Sequence, residues 1–230
     1  MTGPSFPGSR MGLHLADPGT LGGLDLLGGG SGLVLGHNRD ELPVAVRLFR
    51  PEPTRMLLVG GVRCAQLLAF RVMALGARLF IQTAREQDWD AFLRRCAVGR
   101  DSAAFLPVGA QPPVQASAVD PQFVLVDIGP TAGPEPVEPA AWRATLVVRD
   151  DLANWDVDAI VRSDVVLLQR LTQPEASIAG TALGLTEARS WLPRIHPEMV
   201  GVISKGRLQW VMLGLTPTEQ SLLGSAARAD

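Results

Sequence analysis

The stretch from Met56 to Ala84 leaves few folds open to the chain. MLLVGG (56–61) is a short apolar run closed by a glycine pair, CAQLLAFRVMALG (64–76) has apolar residues at helical spacing and a closing Gly76, and RLFIQTA (78–84) is another apolar run. Strand, helix and strand in that order make a βαβ unit with a right-handed crossover. A parallel sheet is therefore expected, with helices packed against it.

The rest of the sequence extends this pattern. EQDWDAFLRRCAVG (86–99) reads as an amphipathic helix with Trp89, Phe92, Leu93 and Cys96 on one face, and AFLPV (104–108) as a short strand. FVLVDIG (123–129) is a near-continuous apolar strand ending in Asp127, and TLVVRD (145–150) and DVVLLQRL (164–171) are two more apolar runs. PTAGPEPVEP (130–139) has four prolines in ten positions and is an exposed loop. PEASIAGTALGL (174–185), with Thr172 as cap and an early proline, predicts a helix, followed by a second helical stretch over about 187–192. Hairpins flank the whole: LVLGHN (33–38) with PVAVRLF (43–49), and MVGVIS (199–204) with RLQWVML (207–213) across a Lys205-Gly206 turn, before a short capped helix at 216–224. The fold class is α/β, three-layered, with a mostly parallel sheet and flanking β-hairpins. The expected domains are a flexible Gly/Pro-rich segment at 1–31, a single α/β domain at 32–224 and a disordered tail at 225–230.

Composition narrows the chemistry. Lys+Arg number 21, yet Lys205 is the only lysine, so any mechanism that needs an amine has one residue to draw on. The net charge of -2 and the scattered arginines give no electrostatic footprint for nucleic acid. Cys64 and Cys96, without a CxxC or a neighbouring histidine, read as small core residues, and no metal site is expected. His14, His37 and His196 belong to no HExxH, and no serine sits in GxSxG. No leader pattern and no stretch of about 18 apolar residues is present, which makes a cytoplasmic chain without a membrane span the expectation.

Two segments are candidates for a site. Glycines at a strand-to-helix junction let a phosphate approach backbone N–H groups, so Gly60, Gly61, Arg63 and Asp127 form a tentative nucleotide or anion site, with Asp127 placed to hold magnesium. The details depart from a working phosphate loop: Gly60-Gly61-Val62-Arg63-Cys64 has no second spaced glycine, no lysine and no hydroxyl, and Asp127 lacks a following acid. The alternative is a Rossmann-like dinucleotide site using Gly60, Gly61 and Arg85, the arginine meeting the 2′-phosphate of NADP. A tight turn that packs helix against sheet is the third reading. Asp150, Asp151, Asp156, Asp158 and Asp164 match no calcium loop and read as solvated. Trp142 and Trp155, beside the proline loop and the acidic segment, are the expected partner surface.

On these residues the chain resembles a degenerate RecA-like core of the FtsK/HerA-type secretion and conjugation motor ATPases over about 43–224. MLLVGG stands at the Walker A position, FVLVDIG at Walker B, and MVGVISKGRLQWVMLGLTPTE resembles the closing hairpin and proline-bearing tail. The LFRPEPTRMLLVGG segment also looks like accessory proteins of actinobacterial type VII secretion systems. The resemblance implies a pseudo-ATPase-like module with no catalytic residues and no cofactor. It further implies a protein partner among secretion components, with self-association as an alternative, and recruitment to the inner face of the cell membrane.

Overall fold

A computed structural model describes residues 32–96, 101–133 and 136–228. The N-terminal segment expected to be flexible, 1–31, with His14, lies outside the described residues, as do residues 229 and 230. Ten strands form one sheet in the order β2-β1-β10-β9-β8-β3-β7-β6-β4-β5. They are β1 (Leu33–His37), β2 (Pro43–Val46), β3 (Thr54–Val59), β4 (Arg78–Thr83), β5 (Ala103–Phe105), β6 (Gln122–Asp127), β7 (Arg143–Arg149), β8 (Val165–Leu168), β9 (Met199–Ser204) and β10 (Arg207–Met212). From β8 to β5 every pair is parallel, while β9, β10, β1 and β2 add an antiparallel edge.

The parallel strands are apolar without alternation because both of their faces are covered. In β3, Met56 and Leu58 join a core with α1 (Val62–Ala74), α2 (Glu86–Cys96) and α5 (Pro217–Leu223), whereas Leu57 and Val59 join another with α3 (Val157–Arg162) and α4 (Gln173–Ala182). These are the three expected layers. Trp89 and Phe92 meet edge to face on the first side, ring centroids 5.6 Å apart, and Trp89 is fully enclosed. Gly76 closes α1 at φ 84°, a conformation that side chains with a Cβ adopt reluctantly.

The order corrects one alternative. In the dinucleotide-binding arrangement the first two strands of the unit are neighbours. Here β3 and β4, the strands on either side of α1, are separated by β7 and β6. The βαβ unit is therefore split, and the Rossmann reading loses its frame. Three local differences accompany this. The helical stretch expected at 187–192 is one 3-10 turn, Ala188–Ser190. Residues 225–228, expected to be disordered, lie against the domain with Ala226 fully buried. Trp142 and Trp155 flank opposite ends of β7, whose seven residues span about 23 Å, so they do not form one surface; Trp155 is 72% exposed and Trp142 half-buried.

Candidate functional site

β3 delivers the chain to the carboxyl end of the sheet, where ligands of open α/β sheets bind. The connection to α1 is only two residues long. Gly61 is the N-cap, extended at φ -78° and ψ 157°, and Val62 already belongs to the helix. Gly60 N–H donates to the Arg149 carbonyl (2.9 Å) and Gly61 N–H to Gln169 Oε1 (2.9 Å). Gln169 follows β8, is fully enclosed, and donates its own amide to the Ala226 carbonyl (2.8 Å). A Cβ on Gly60 would stand 2.5 Å from Gln169 Oε1, and one on Gly61 3.4 Å from Arg228 Cα. The glycines thus admit a glutamine side chain and the C-terminal segment, at the place where a phosphate loop would admit phosphate.

Asp127 ends β6, two strands from β3, and is 2% exposed. Its carboxylate accepts both arms of Arg85, Nε to Oδ2 at 2.7 Å and Nη2 to Oδ1 at 2.6 Å, and the indole N–H of Trp89 at 2.7 Å. Arg85 also reaches Asp150 Oδ1 at 2.9 Å. The hydrogen bond to Asp127 is the main cause that holds the guanidinium above its ordinary pKa, against the opposing effect of burial. A fork-to-fork pair of this kind is strong and directional. It consumes the oxygens that a magnesium ion would need.

A third cluster closes the site. Glu175, 5% exposed on α4, accepts Arg228 Nη2 at Oε1 (2.7 Å) and Arg228 Nη1 at Oε2 (3.1 Å), together with the Leu152 and Thr172 amides. Burial alone would raise the Glu175 carboxyl; Arg228, the two amides and the Thr172 hydroxyl outweigh it and hold the group below its ordinary 4.5. Arg228 Nη2 also binds the Asp150 carbonyl, and Nη1 the Arg170 carbonyl at 3.0 Å. The pocket left between these groups, about 460 Å³, is lined by Gly60, Gly61, Arg85, Asp150, Thr172 and Arg228 among others.

The sequence-predicted residues therefore separate. Gly60, Gly61 and Arg85 line one pocket, and Asp127 backs it through Arg85, while Arg63 is exposed on the first turn of α1 with Nη1 3.4 Å from Gln66 Oε1. Arg85, assigned to a 2′-phosphate in the alternative reading, is held by two carboxylates instead. A magnesium–nucleotide does not fit these residues: both glycine amides, both Asp127 oxygens and the Arg85 fork already have protein partners. The acidic cluster also differs from a solvated loop, since Asp156 is 2% exposed and pairs with Arg149 at 2.7 Å, and Asp164 pairs with Arg50. No group of acids, cysteines and histidines among the described residues could hold a metal ion. Gln169, Glu175 and Arg228 escaped the sequence reading. A polar residue closing an apolar strand marks Gln169, and the Thr172-x-x-Glu175 capping box marks Glu175; Arg228 has no such signal.

No protein-family model and no curated protein matches the sequence. Among solved structures, VirB4 of Thermoanaerobacter pseudethanolicus aligns over 83% of this chain and 98% of its own, with 10% identity and a TM-score of 0.56. The genome packaging NTPase B204 of Sulfolobus turreted icosahedral virus 2, in complex with AMPPCP, aligns over 73% of this chain and 100% of its own, with 8% identity and a TM-score of 0.49. Thermomonospora curvata EccC (ATPases 2 and 3), in complex with a signal sequence peptide, gives 12% identity and a TM-score of 0.48 over 93% of this chain and 45% of its own. The likeness to VirB4 shows that the two chains share a fold. No helix among the described residues is long and apolar enough to cross a membrane.

Proposed function

We propose that this chain is a non-catalytic, pseudo-ATPase-like module that works through protein–protein contacts in a secretion apparatus of the type VII class. Phosphoryl transfer needs free N–H donors around the phosphates, a compact cation and a carboxylate available to magnesium. The observation that carries the reading is that protein groups occupy the first and third of these places and that no lysine stands at the second. Gln169 takes the Gly61 amide, Arg85 and Trp89 take Asp127, and the only lysine, Lys205, stands in the β9–β10 turn. The fold likeness to VirB4 supports the secretion setting, and the sequence resemblance of the 48–61 segment to type VII accessory proteins supports its class.

A motor fold that no longer needs to cycle can keep its sheet as a rigid platform, because fixed charge pairs replace a ligand that would come and go. Phosphate release from ATP with magnesium tests the reading. The module should give none above a protein-free blank; release that scales with protein concentration and requires magnesium would overturn it.

A further inference from the structure

The amino end of the parallel strands carries the opposite electrostatic design. A cleft of about 1150 Å³ opens where β2, the start of β8 and the β9–β10 hairpin meet. Arg47, Arg50, Lys205 and Arg207 line it, against Glu52 and Asp164. Asp164 is already committed, its Oδ1 to Arg50 at 3.4 Å and its Oδ2 to the Arg55 amide at 2.8 Å. The side chains of Arg47, Lys205 and Arg207 are exposed and make no hydrogen bond or ion pair with any described residue. Three free cations therefore face one free carboxylate, in a chain whose net charge is -2.

The backbone that carries the cations is fixed. Ser204 pairs with Arg207 across a two-residue turn in which Lys205 (φ 51°) and Gly206 (φ 70°) both have positive φ, the geometry of a tight hairpin turn that matches strand twist. Arg47 directly follows β2, the edge strand of the sheet. Fixing the backbone under charged side chains lowers the ordering cost of binding.

We infer that this cleft is the docking site for an acidic polypeptide segment of a partner protein. Charge complementarity selects the sign of the partner. The lining selects its class: single-stranded nucleic acid is bound on aromatic stacking platforms, and no aromatic residue lines this cleft. The buried Val46, Val165 and Val202 instead give it apolar flooring for the stems of a peptide's side chains. The assignment names the partner class for the protein-contact module proposed above and rests on that reading, although the cleft and the Gly60–Arg228 pocket lie at opposite ends of β3.

The test is fluorescence anisotropy of the whole chain with a labelled 15-residue Glu/Asp-rich peptide, set against a Lys-rich peptide and an oligothymidylate of similar length. The acidic peptide should bind, weaken as salt rises, and lose about tenfold in affinity in the triple variant Arg47→Ser, Lys205→Asn, Arg207→Ser, given the modest worth of each exposed charge. Asparagine tolerates the positive φ of position 205, and thermal unfolding verifies that the variant is folded. No binding of the acidic peptide, binding that the folded triple variant retains in full, or tighter binding of oligothymidylate through the same residues would each overturn the assignment. ATP turnover, measured separately on the same protein, distinguishes failure of this cleft from failure of the non-catalytic reading.

Discussion

The two ends of β3 handle charge in opposite ways. At the carboxyl end, Asp127, Asp150 and Glu175 all meet Arg85 or Arg228 within 3.1 Å, and the Arg228 guanidinium also binds the Arg170 and Asp150 carbonyls. At the amino end, Arg47, Lys205 and Arg207 stand in water without partners among the described residues. In the first arrangement each of the named charges has a partner of opposite sign. The second leaves positive charge without a counter-charge among the described residues. At the carboxyl end of this chain the Gly60 and Gly61 amides and the Asp127 carboxylate already have protein partners, around a pocket of about 460 Å³.

The largest effect should come from Asp127→Ala. It would strand the Arg85 fork and the enclosed Trp89 indole N–H, and should cost about 2–3 kcal/mol in denaturant unfolding, less than a fully enclosed pair because 30% of the Arg85 side chain is exposed. A stability unchanged or raised would mean that the carboxylate is a ligand in waiting rather than part of the frame. Gly60→Ala should follow at about 1–2 kcal/mol, since its Cβ would meet Gln169 Oε1 at 2.5 Å in a place where the glutamine cannot swing aside. A neutral Gly60→Ala would show the glutamine to be loosely seated.

The acid limb of stability sharpens the contrast further. Glu175 has a depressed pKa in the folded state, so it contributes stability that is complete above its ordinary 4.5 and is lost as the pH falls through the lower folded value. Arg228→Ala removes the largest of the causes that lower it. The variant should be less stable at neutral pH and lose less on acidification, as read from melting temperatures between pH 7 and pH 3. Glu219, depressed by Arg71, should keep its own share of the limb in that variant. The smallest effect belongs to the amino end. Neutralising Arg47, Lys205 and Arg207 together should change stability by less than about 0.5 kcal/mol, because no internal contact is lost. A larger loss would mean that the cleft is structural as well.

Much of the fold was legible because it rests on local pattern. Unbroken apolar runs at 56–59, 123–126 and 165–168 gave parallel strands, and the Lys205-Gly206 turn gave the last hairpin. Strand order was not legible, since inserting β7 and β6 between β3 and β4 depends on long-range pairing that leaves no trace in either strand. The glycine pair and Asp127 were visible in the sequence as candidate positions. The partners of the glycines were not, because Gln169 and Arg228 approach from 108 and more residues away. The acidic cluster misled for a different reason: Asp156 reads as a loop acid until Arg149, seven residues earlier on β7, is seen to reach it inside the core.

Calorimetric titration of the whole chain with ATP and magnesium tests the central claim most directly. An end of the sheet whose glycine amides and Asp127 already have protein partners should give only heats of dilution. A saturable, magnesium-dependent heat would contradict the account, because it would show that a nucleotide can displace these side chains from the Gly60-Gly61 junction.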